Sequence, residues 1–431
     1  MSQRPHVQPL EALNPQVRAR FPMIDRDSLG NPRVYLNSGA GSLTVDTAAD
    51  AAREAQGRLN PMPGVVVAGE AETAALQARV RDLAADFLNA RSGREVSFHL
   101  SATAALFDLA FSLRGLVRPD ANIVVTDLDH MANVSPWETI FGEGLGLEIR
   151  RAPLTDEGTL DIPGLLSLID RKTGLLAVTS ASNGNGSLVP MKDLVAAVRE
   201  KSPGCLVAVD AVHHAPHGSL DVRASGVDFL VFSGYKVFGP MSGVLWGREE
   251  ILERLRPYRV ETNKDVLPGK FEMGMVNNAS LAALGAALEY LLWLADRLPA
   301  PPAPPTDRAA RFRAVLGAIS AYERTLTLRV LRGFRDLALP RFRLFGLGDP
   351  DRSAERVPTF AFDIAGLAPT EAKRRLWARS AIQIADGNHY SATVFRHLGR
   401  PEGICRASFA HYDNAATVDR FLAALAGLEK D

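Results

Sequence analysis

Between residues 74 and 250, short apolar runs rich in β-branched side chains alternate with stretches whose apolar positions recur at helical spacing. The runs at 122–126 (NIVVT), 175–179 (LLAVT), 205–210 (CLVAVD) and 229–232 (FLVF) are apolar at successive positions. Both faces of such a run must be covered, which is what a mostly parallel sheet between two helical layers provides. The intervening segment Met191–Lys201 (MKDLVAAVREK) is amphipathic, and Pro190 stands where a helix can begin. The pattern predicts an α/β fold.

A Pro-rich stretch at 298–306 (LPAPPAPPT) cannot continue a helix and reads as a stiff linker. After it, a helical segment over 310–337 precedes short strands at 359–364 and 406–409 mixed with helices, the make-up of a smaller α+β unit. The predicted division is an N-terminal segment 1–34, a large domain 35–297, the linker 298–306 and a C-terminal small domain 307–431. The N-terminal segment is expected to pack on one of the two domains. The most apolar stretch, 279–295, is interrupted by Glu289 and is short for a bilayer, so it reads as a core helix.

Charge and composition narrow the partners. The 431 residues carry 49 Lys+Arg against 49 Asp+Glu, a formal net charge of +0. A nucleic-acid binder or a polybasic membrane-surface protein would show a basic excess, so neither partner is expected. At 46% hydrophobic and 23% charged, the chain has the balance of a globular protein, and its length suits two or three domains. The two cysteines, Cys205 and Cys405, form no CxxC or paired spacing, which argues against zinc ribbons, iron–sulfur centres and a disulfide framework. The N-terminus lacks a signal-like apolar stretch, so a cytoplasmic location is expected.

In an open parallel sheet, ligands sit beyond the carboxyl ends of the strands, and the polar residues there are the candidates. Asp210 ends CLVAVD; alone it could simply cap the next loop. Lys236 follows DFLVFSGY, flanked by Ser233, Tyr235 and small residues. A lysine desolvated there becomes a Schiff-base nucleophile, although a single lysine at a strand end is most often solvated. Together the two fit pyridoxal 5′-phosphate, which needs a lysine for its aldehyde and an anion for its pyridinium nitrogen. The segment 98–106 (FHLSATAAL) runs from a strand into an Ala-rich helix, whose start at Ala102 and Thr103 offers N–H groups to a phosphate; Thr103 could equally be a plain N-cap. His130, after NIVVTDLD, could stack on a pyridine ring, and Asn183, after LLAVTSAS, could hydrogen-bond the phenolic oxygen. His213, His214 and His217 admit a metal reading, but Pro216 disfavours a helix that would align them, and no metal is expected. His213 fits better beside the cofactor.

Taken together these residues resemble the class V aminotransferase family, fold type I of the pyridoxal-phosphate enzymes, in particular its cysteine-desulfurase branch. The resemblance runs from about residue 35 to the C-terminus. It rests most on VDAVHHAPHGSLDV and DFLVFSGYKVFGP, which resemble the branch's Asp-x-x-Gln/His and Ser-Gly-[His/Tyr]-Lys segments. DHMANVSPW resembles EHHANIVPW, which implies that His130 stacks on the ring. SASNGNGSLVP resembles the loop supplying Asn183, and KFEMGMVNNA resembles FEAGTPNT, a loop that approaches the partner subunit's cofactor in the family. CRASFAHYDNAATVD resembles the segment whose arginine, here Arg406, clamps the substrate carboxylate, a role suited to a planar guanidinium. YLNSGAGS, with Ser38, is similar to the family's YLDSAAS loop beside the substrate.

Two departures bear on function. The desulfurases carry an RTGHHCA loop whose cysteine attacks the substrate sulfur; here the matching stretch, 385–392, reads ADGNHYSA. Tyr390 stands in the cysteine's place, beside His389, and a phenol cannot accept persulfide sulfur. Met275 replaces a threonine of the family, removing a hydroxyl near the phosphate.

The resemblance implies a type I large domain with a mostly parallel sheet, plus a smaller C-terminal α+β domain, working as a homodimer on a small amino acid. Lys236 would hold the cofactor and then act as base, with Asp210 keeping the pyridine nitrogen protonated. His130 would stack on the ring while Asn183 and His213 tune its oxygen, and Ala102, Thr103 and Ser233 would hold the phosphate. Tyr235 belongs to the same pocket. Arg406 and Ser38 would meet the substrate, and His389 and Tyr390 form a substrate-facing loop. The expected activity is a β-eliminating C–S lyase without persulfide formation. An aminotransferase, an epimerase and a non-catalytic cofactor-binding relative are the alternatives; intact Lys236, Asp210 and Arg406 speak against the last.

Overall fold

The computed structural model describes residues 9–59, 61–299, 304 and 306–428. Within the expected linker, residues 300–303 and 305 lie outside the described residues, as do the first eight residues of the N-terminal segment. The strands, in chain order, are β1 (Val34–Tyr35), β2 (Val96–His99), β3 (Asn122–Thr126), β4 (Glu148–Ala152), β5 (Thr173–Thr179), β6 (Leu206–Asp210) and β7 (Phe229–Ser233). They continue with β8 (Gly243–Gly247), β9 (Phe342–Phe345), β10 (Thr359–Ile364), β11 (Ile382–Gln383), β12 (Ala385–Gly387) and β13 (Ile404–Ser408).

Seven of them form one sheet, in the order β2-β8-β7-β6-β5-β3-β4. Strands β7, β6, β5, β3 and β4 run parallel, and β8 is antiparallel to both its neighbours. The four apolar runs read from the sequence are β3, β5, β6 and β7, displaced by two residues at most. Alternate side chains of each strand enter different cores. Ile123, Val125, Phe229 and Val231 join one, while Val124, Leu230 and Phe232 join the other. Burial on both faces is why these runs carry no polar alternation. The amphipathic segment Met191–Lys201 is a helix with Pro190 at its N-cap. The apolar helix Asn278–Ala295 is a core helix, buried against the helices Asp46–Arg58, Ala68–Phe87 and Arg308–Leu337.

After the Pro-rich stretch, the long helix Arg308–Leu337 packs beside an antiparallel sheet of order β12-β13-β10-β9. Strand β13 starts two residues earlier than the expected run at 406–409. The N-terminal segment touches both halves of the molecule. Its helix Pro9–Ala19 places Asn14 Nδ2 3.0 Å from the Asp413 carbonyl, and Phe21 packs its ring on Phe238 and Tyr412. Strand β1 pairs in parallel with β11, and Ser408 N donates to Leu36 O at 2.9 Å. Residues 34–38 are thereby stitched to the end of β13.

Candidate active site

The parallel strands β6 and β7 end side by side at Asp210 and Ser233, and Lys236 lies in the single 3-10 turn that follows β7. All three are buried. Lys236 Nζ donates to the carbonyl of Gly39, in the small-residue loop SGAGS. A Cβ at Gly39 would stand 2.4 Å from Ser408 Oγ and 3.2 Å from the Arg406 guanidinium carbon, so a side chain there would have to displace these residues. The same loop holds the lysine turn from the other side, Ser42 Oγ donating to Tyr235 O at 2.8 Å and accepting from Phe238 N at 3.0 Å. Tyr235 thus lines the site with its ring under the ammonium, Nζ lying 5.2 Å from the ring centroid.

Burial and nearby charge tune both groups. Burial lowers Lys236 to about 7, the Arg406 guanidinium pushes the same way, and Asp210 partly opposes them. Asp210 rises to about 6 through burial, held back by the Val212 N–H (2.8 Å) and by Lys236. Among the described residues no cation lies within ion-pair distance of Asp210. A buried carboxylate without a partner is costly, and a protonated pyridine nitrogen is the kind of group it fits.

The helix Ala102–Leu113 starts just beyond β2. Ser101, and not Thr103, is its N-cap, with Oγ accepting from Ala104 N at 3.1 Å. Thr103 is exposed in the first turn. Like any helix start, the turn leaves the N–H groups of Ala102 and Thr103 without intrahelical acceptors, and its dipole favours an anion. Strand β8 passes so close that a Cβ on Gly243 would lie 2.3 Å from the Ser101 carbonyl carbon.

The C-terminal sheet supplies the opposite wall. Arg406, in the middle of β13, is buried; its NH1 donates to Asn183 O at 2.7 Å while its Nε has no partner. Burial lowers its affinity for protons to about 10, a sign of how little water reaches it. Ser38 Oγ donates to Phe409 O at 3.0 Å, so it braces the loop. Asn183 joins the site to the loop after β12: its Nδ2 donates to His389 O at 2.8 Å and its Oδ1 accepts from Ser391 Oγ at 2.6 Å.

In that loop His389 and Tyr390 take left-handed φ values of 52° and 57°, a conformation that costs non-glycine residues about 1–3 kcal/mol each. Met131 N donates to Tyr390 O at 2.8 Å, and His389 Nε2 lies 3.2 Å from Ile404 O. The Tyr390 ring, 71% exposed, stacks on His130 at 5.3 Å. Burial, assisted by Lys236 and Arg406, lowers His130 to about 4, so its ring is neutral near pH 7; His389, lowered to about 3, is neutral as well.

Of the histidines after β6, His213 and His217 keep their rings 5.6 Å apart but take different partners. His213 Nε2 meets Thr359 Oγ1 at 3.0 Å, and His217 Nδ1 meets Glu323 Oε2 at 2.8 Å. Both bonds tie the turn behind Asp210 to the C-terminal half. His213 is held neutral by burial and by Lys236 nearby. Cys205 and Cys405 are buried with thiols raised to about 12 by that burial.

Sequence reasoning missed Gly39, Ser101, Thr359 and Ser408, and also Asp129. Asp129 is fully buried, accepts from Asn133 Nδ2 at 2.7 Å and is raised to about 8 chiefly by burial. For Gly39 the run of small residues in SGAGS was a signal; the others depend on contacts distant in sequence or on cap geometry.

A lysine and a carboxylate at adjacent strand ends, a helix start and a buried arginine are the kinds of group a pyridoxal-phosphate-dependent enzyme needs. The aminotransferase class-V family model matches residues 34–296 and 312–421, and the chain belongs to that family. It is 31% identical to a cysteine desulfurase of Pectobacterium carotovorum subsp. carotovorum, covering 95% of this chain and 96% of the relative. It is 32% identical to a cysteine desulfurase of Yersinia pestis (strain Pestoides F), covering 96% and 98%. The apo cysteine desulfurase of Thermococcus onnurineus NA1 superposes with a TM-score of 0.82 at 25% identity, covering 96% and 98% of the two chains. The Escherichia coli cysteine desulfurase CsdA gives 0.78 at 27% identity, covering 96% and 97%. The chain is thus a cysteine-desulfurase-like member of the class V family.

Proposed function

We propose that the enzyme cleaves the Cβ–S bond of a cysteine derivative by β-elimination, without passing the sulfur to a protein cysteine. The observation that carries this reading is that the loop after β12 presents an exposed Tyr390, while the only two thiols of the chain, Cys205 before β6 and Cys405 in β13, are buried and held protonated. The overall change is then cysteine derivative plus water to pyruvate, ammonia and the free thiol.

When bound, pyridoxal phosphate supplies an aldehyde and a ring that takes up the electron pair left at Cα. The residues around it have separable tasks. Lys236, with its amine largely neutral above pH 7, would hold the cofactor aldehyde and then serve as base for the Cα proton. Asp210 would favour a proton on the pyridine nitrogen. The helix start at Ala102 and Thr103, with Ser233, would bind the phosphate, and neutral His130 would meet the ring. Asn183 and His213 would serve its oxygen, and Tyr235 would close the pocket beneath the lysine. Arg406 orients the substrate carboxylate through the Nε and NH2 edge not committed to Asn183, with Ser38 holding the loop beside it. His389 and Tyr390 form the wall nearest the departing sulfur.

A second copy of the chain is part of the same proposal. Leu100, beside the helix start, Met241 and Met273 are exposed at 86%, 79% and 67%; large apolar side chains bared together mark an interface.

Product analysis with S-substituted L-cysteines tests the reading. Pyruvate, ammonia and thiol in equal amounts support it. Appearance of the pyridoxamine form with a new keto acid would make the protein an aminotransferase, and racemised substrate would make it an epimerase. Cofactor binding with no turnover of any amino acid would leave a binding protein.

A further inference from the structure

Two buried hydroxyls lie behind the site, outside every role assigned so far. Thr359 opens β10 and Ser408 closes β13; they are register partners, and both are fully buried. Thr359 Oγ1 lies 3.0 Å from His213 Nε2 and donates to Ser408 Oγ at 3.1 Å. Ser408 Oγ in turn fills the space beside Gly39, whose carbonyl receives Lys236 Nζ. Arg406 stands two residues before Ser408 on the same strand, paired with Ala361. One pair of hydroxyls therefore touches the histidine beside the lysine, the loop that holds the lysine and the strand that carries the arginine.

The direction of the bonds fixes a proton. A hydroxyl has one hydrogen, and the Thr359 hydrogen is directed to Ser408. Thr359 can then only accept from His213, so the imidazole proton sits on Nε2 and Nδ1 is left as an acceptor. Because the ring is buried and neutral, this is a choice between two tautomers, and a second-sphere bond of this kind decides it.

We propose that Thr359 is a positioning residue that sets the tautomer of His213, and that Ser408 ties this setting to the strand carrying Arg406. The proposal rests on the reading of His213 as a neighbour of the cofactor ring only for its consequence; the tautomer belongs to the chain itself. A valine at 359 keeps the β-branched shape and removes the acceptor, leaving a buried N–H unsatisfied, which costs about tenfold in any equilibrium that depends on it.

The test uses protein labelled with ¹⁵N in its histidine rings. In the cofactor-free wild type, the His213 signals should show a protonated Nε2 and a bare Nδ1. In Thr359→Val they should change to the other tautomer or to exchange between the two, and Thr359→Ser should restore the wild-type pattern. Pyridoxal phosphate should bind about tenfold more weakly to Thr359→Val, with a displaced pH midpoint in its absorbance, and Thr359→Ser should recover both. A His213 signal with the proton on Nδ1, or one indifferent to Thr359→Val, overturns the proposal. Should Thr359→Val fail to fold, Ser408→Ala carries the same measurement: freeing the Thr359 hydrogen should broaden or shift His213 Nε2, and an unchanged signal overturns the link. If the wild type does not take up the cofactor, the functional reading fails while the tautomer measurement still stands.

Discussion

Lys236 is the residue whose environment makes the sharpest statement about reactivity. Its folded value lies near 7, below the ordinary lysine range, because burial and Arg406 disfavour the ammonium. The neutral amine is therefore scarce below pH 7 and fully present above it. The rate at which cofactor-free protein takes up pyridoxal phosphate should rise about tenfold per pH unit up to about pH 7 and level off above it. Stopped-flow absorbance checks this, and a rate still climbing between pH 8 and pH 10 would mean an ordinary, solvated lysine. Arg406→Lys should keep the charge but lose the planar fork, raising KM for amino acids about tenfold or more while leaving cofactor binding intact. Equilibrium titration with a substrate-like carboxylate separates the two effects. Lys236 and Asp210 were legible in the sequence as a pair: either alone has an ordinary explanation, but Asp210 ends one apolar run and Lys236 follows the end of the next. Thr359 was not: its contact with His213 spans 146 positions in sequence, and nothing local marks it.

At the scale of elements, the close passage of β8 under the start of the helix Ala102–Leu113 is the feature that leaves least room. Gly243→Ala would drive a methyl into the Ser101 carbonyl, displacing the turn that offers its N–H groups to the phosphate. Such overpacking costs about 1–3 kcal/mol of stability. It should also weaken pyridoxal phosphate binding more than Ser101→Ala, which removes only the cap, worth about 1 kcal/mol. Thermal melts with and without the cofactor measure both. The main strands were readable because two buried faces leave an uninterrupted apolar run, as in Asn122–Thr126. By contrast β1 and β11, of two residues each, have no periodicity to read, yet they stitch the loop around Gly39 to the C-terminal half. Thr103 was read as a possible cap and Ser101, the actual one, was passed over, because hydroxyl residues two positions apart look alike until the backbone of the first turn is known.

At the scale of the whole molecule, the two halves meet through His213 with Thr359, His217 with Glu323, and Arg406 with Asn183, and three of these residues, His213, Arg406 and Asn183, belong to the proposed site. Movement of the C-terminal half would therefore be felt at the lysine end of the sheet. Leu100, Met241 and Met273 are large apolar side chains left exposed, and the proposed second copy would remove them from water. Leu100→Asp combined with Met241→Asp should yield monomers in sedimentation, with loss of activity if the partner completes the pocket; an unchanged sedimentation coefficient would put the interface elsewhere. The general architecture followed from the sequence, but the clasp made by residues 9–38 did not, since its anchors at Tyr412 and Asp413 lie at the far end of the chain.

In the proposed reaction sulfur leaves as a free thiol or sulfide and never rests on the protein. This is tested most directly by incubating the cofactor-loaded enzyme with ³⁵S-labelled L-cysteine and comparing pyruvate released with label retained on the denaturant-free, desalted protein. Pyruvate should form in step with released sulfur, with no label on the chain. Label bound to Cys205 or Cys405 and released by a thiol reductant, with alanine as the product, would contradict it.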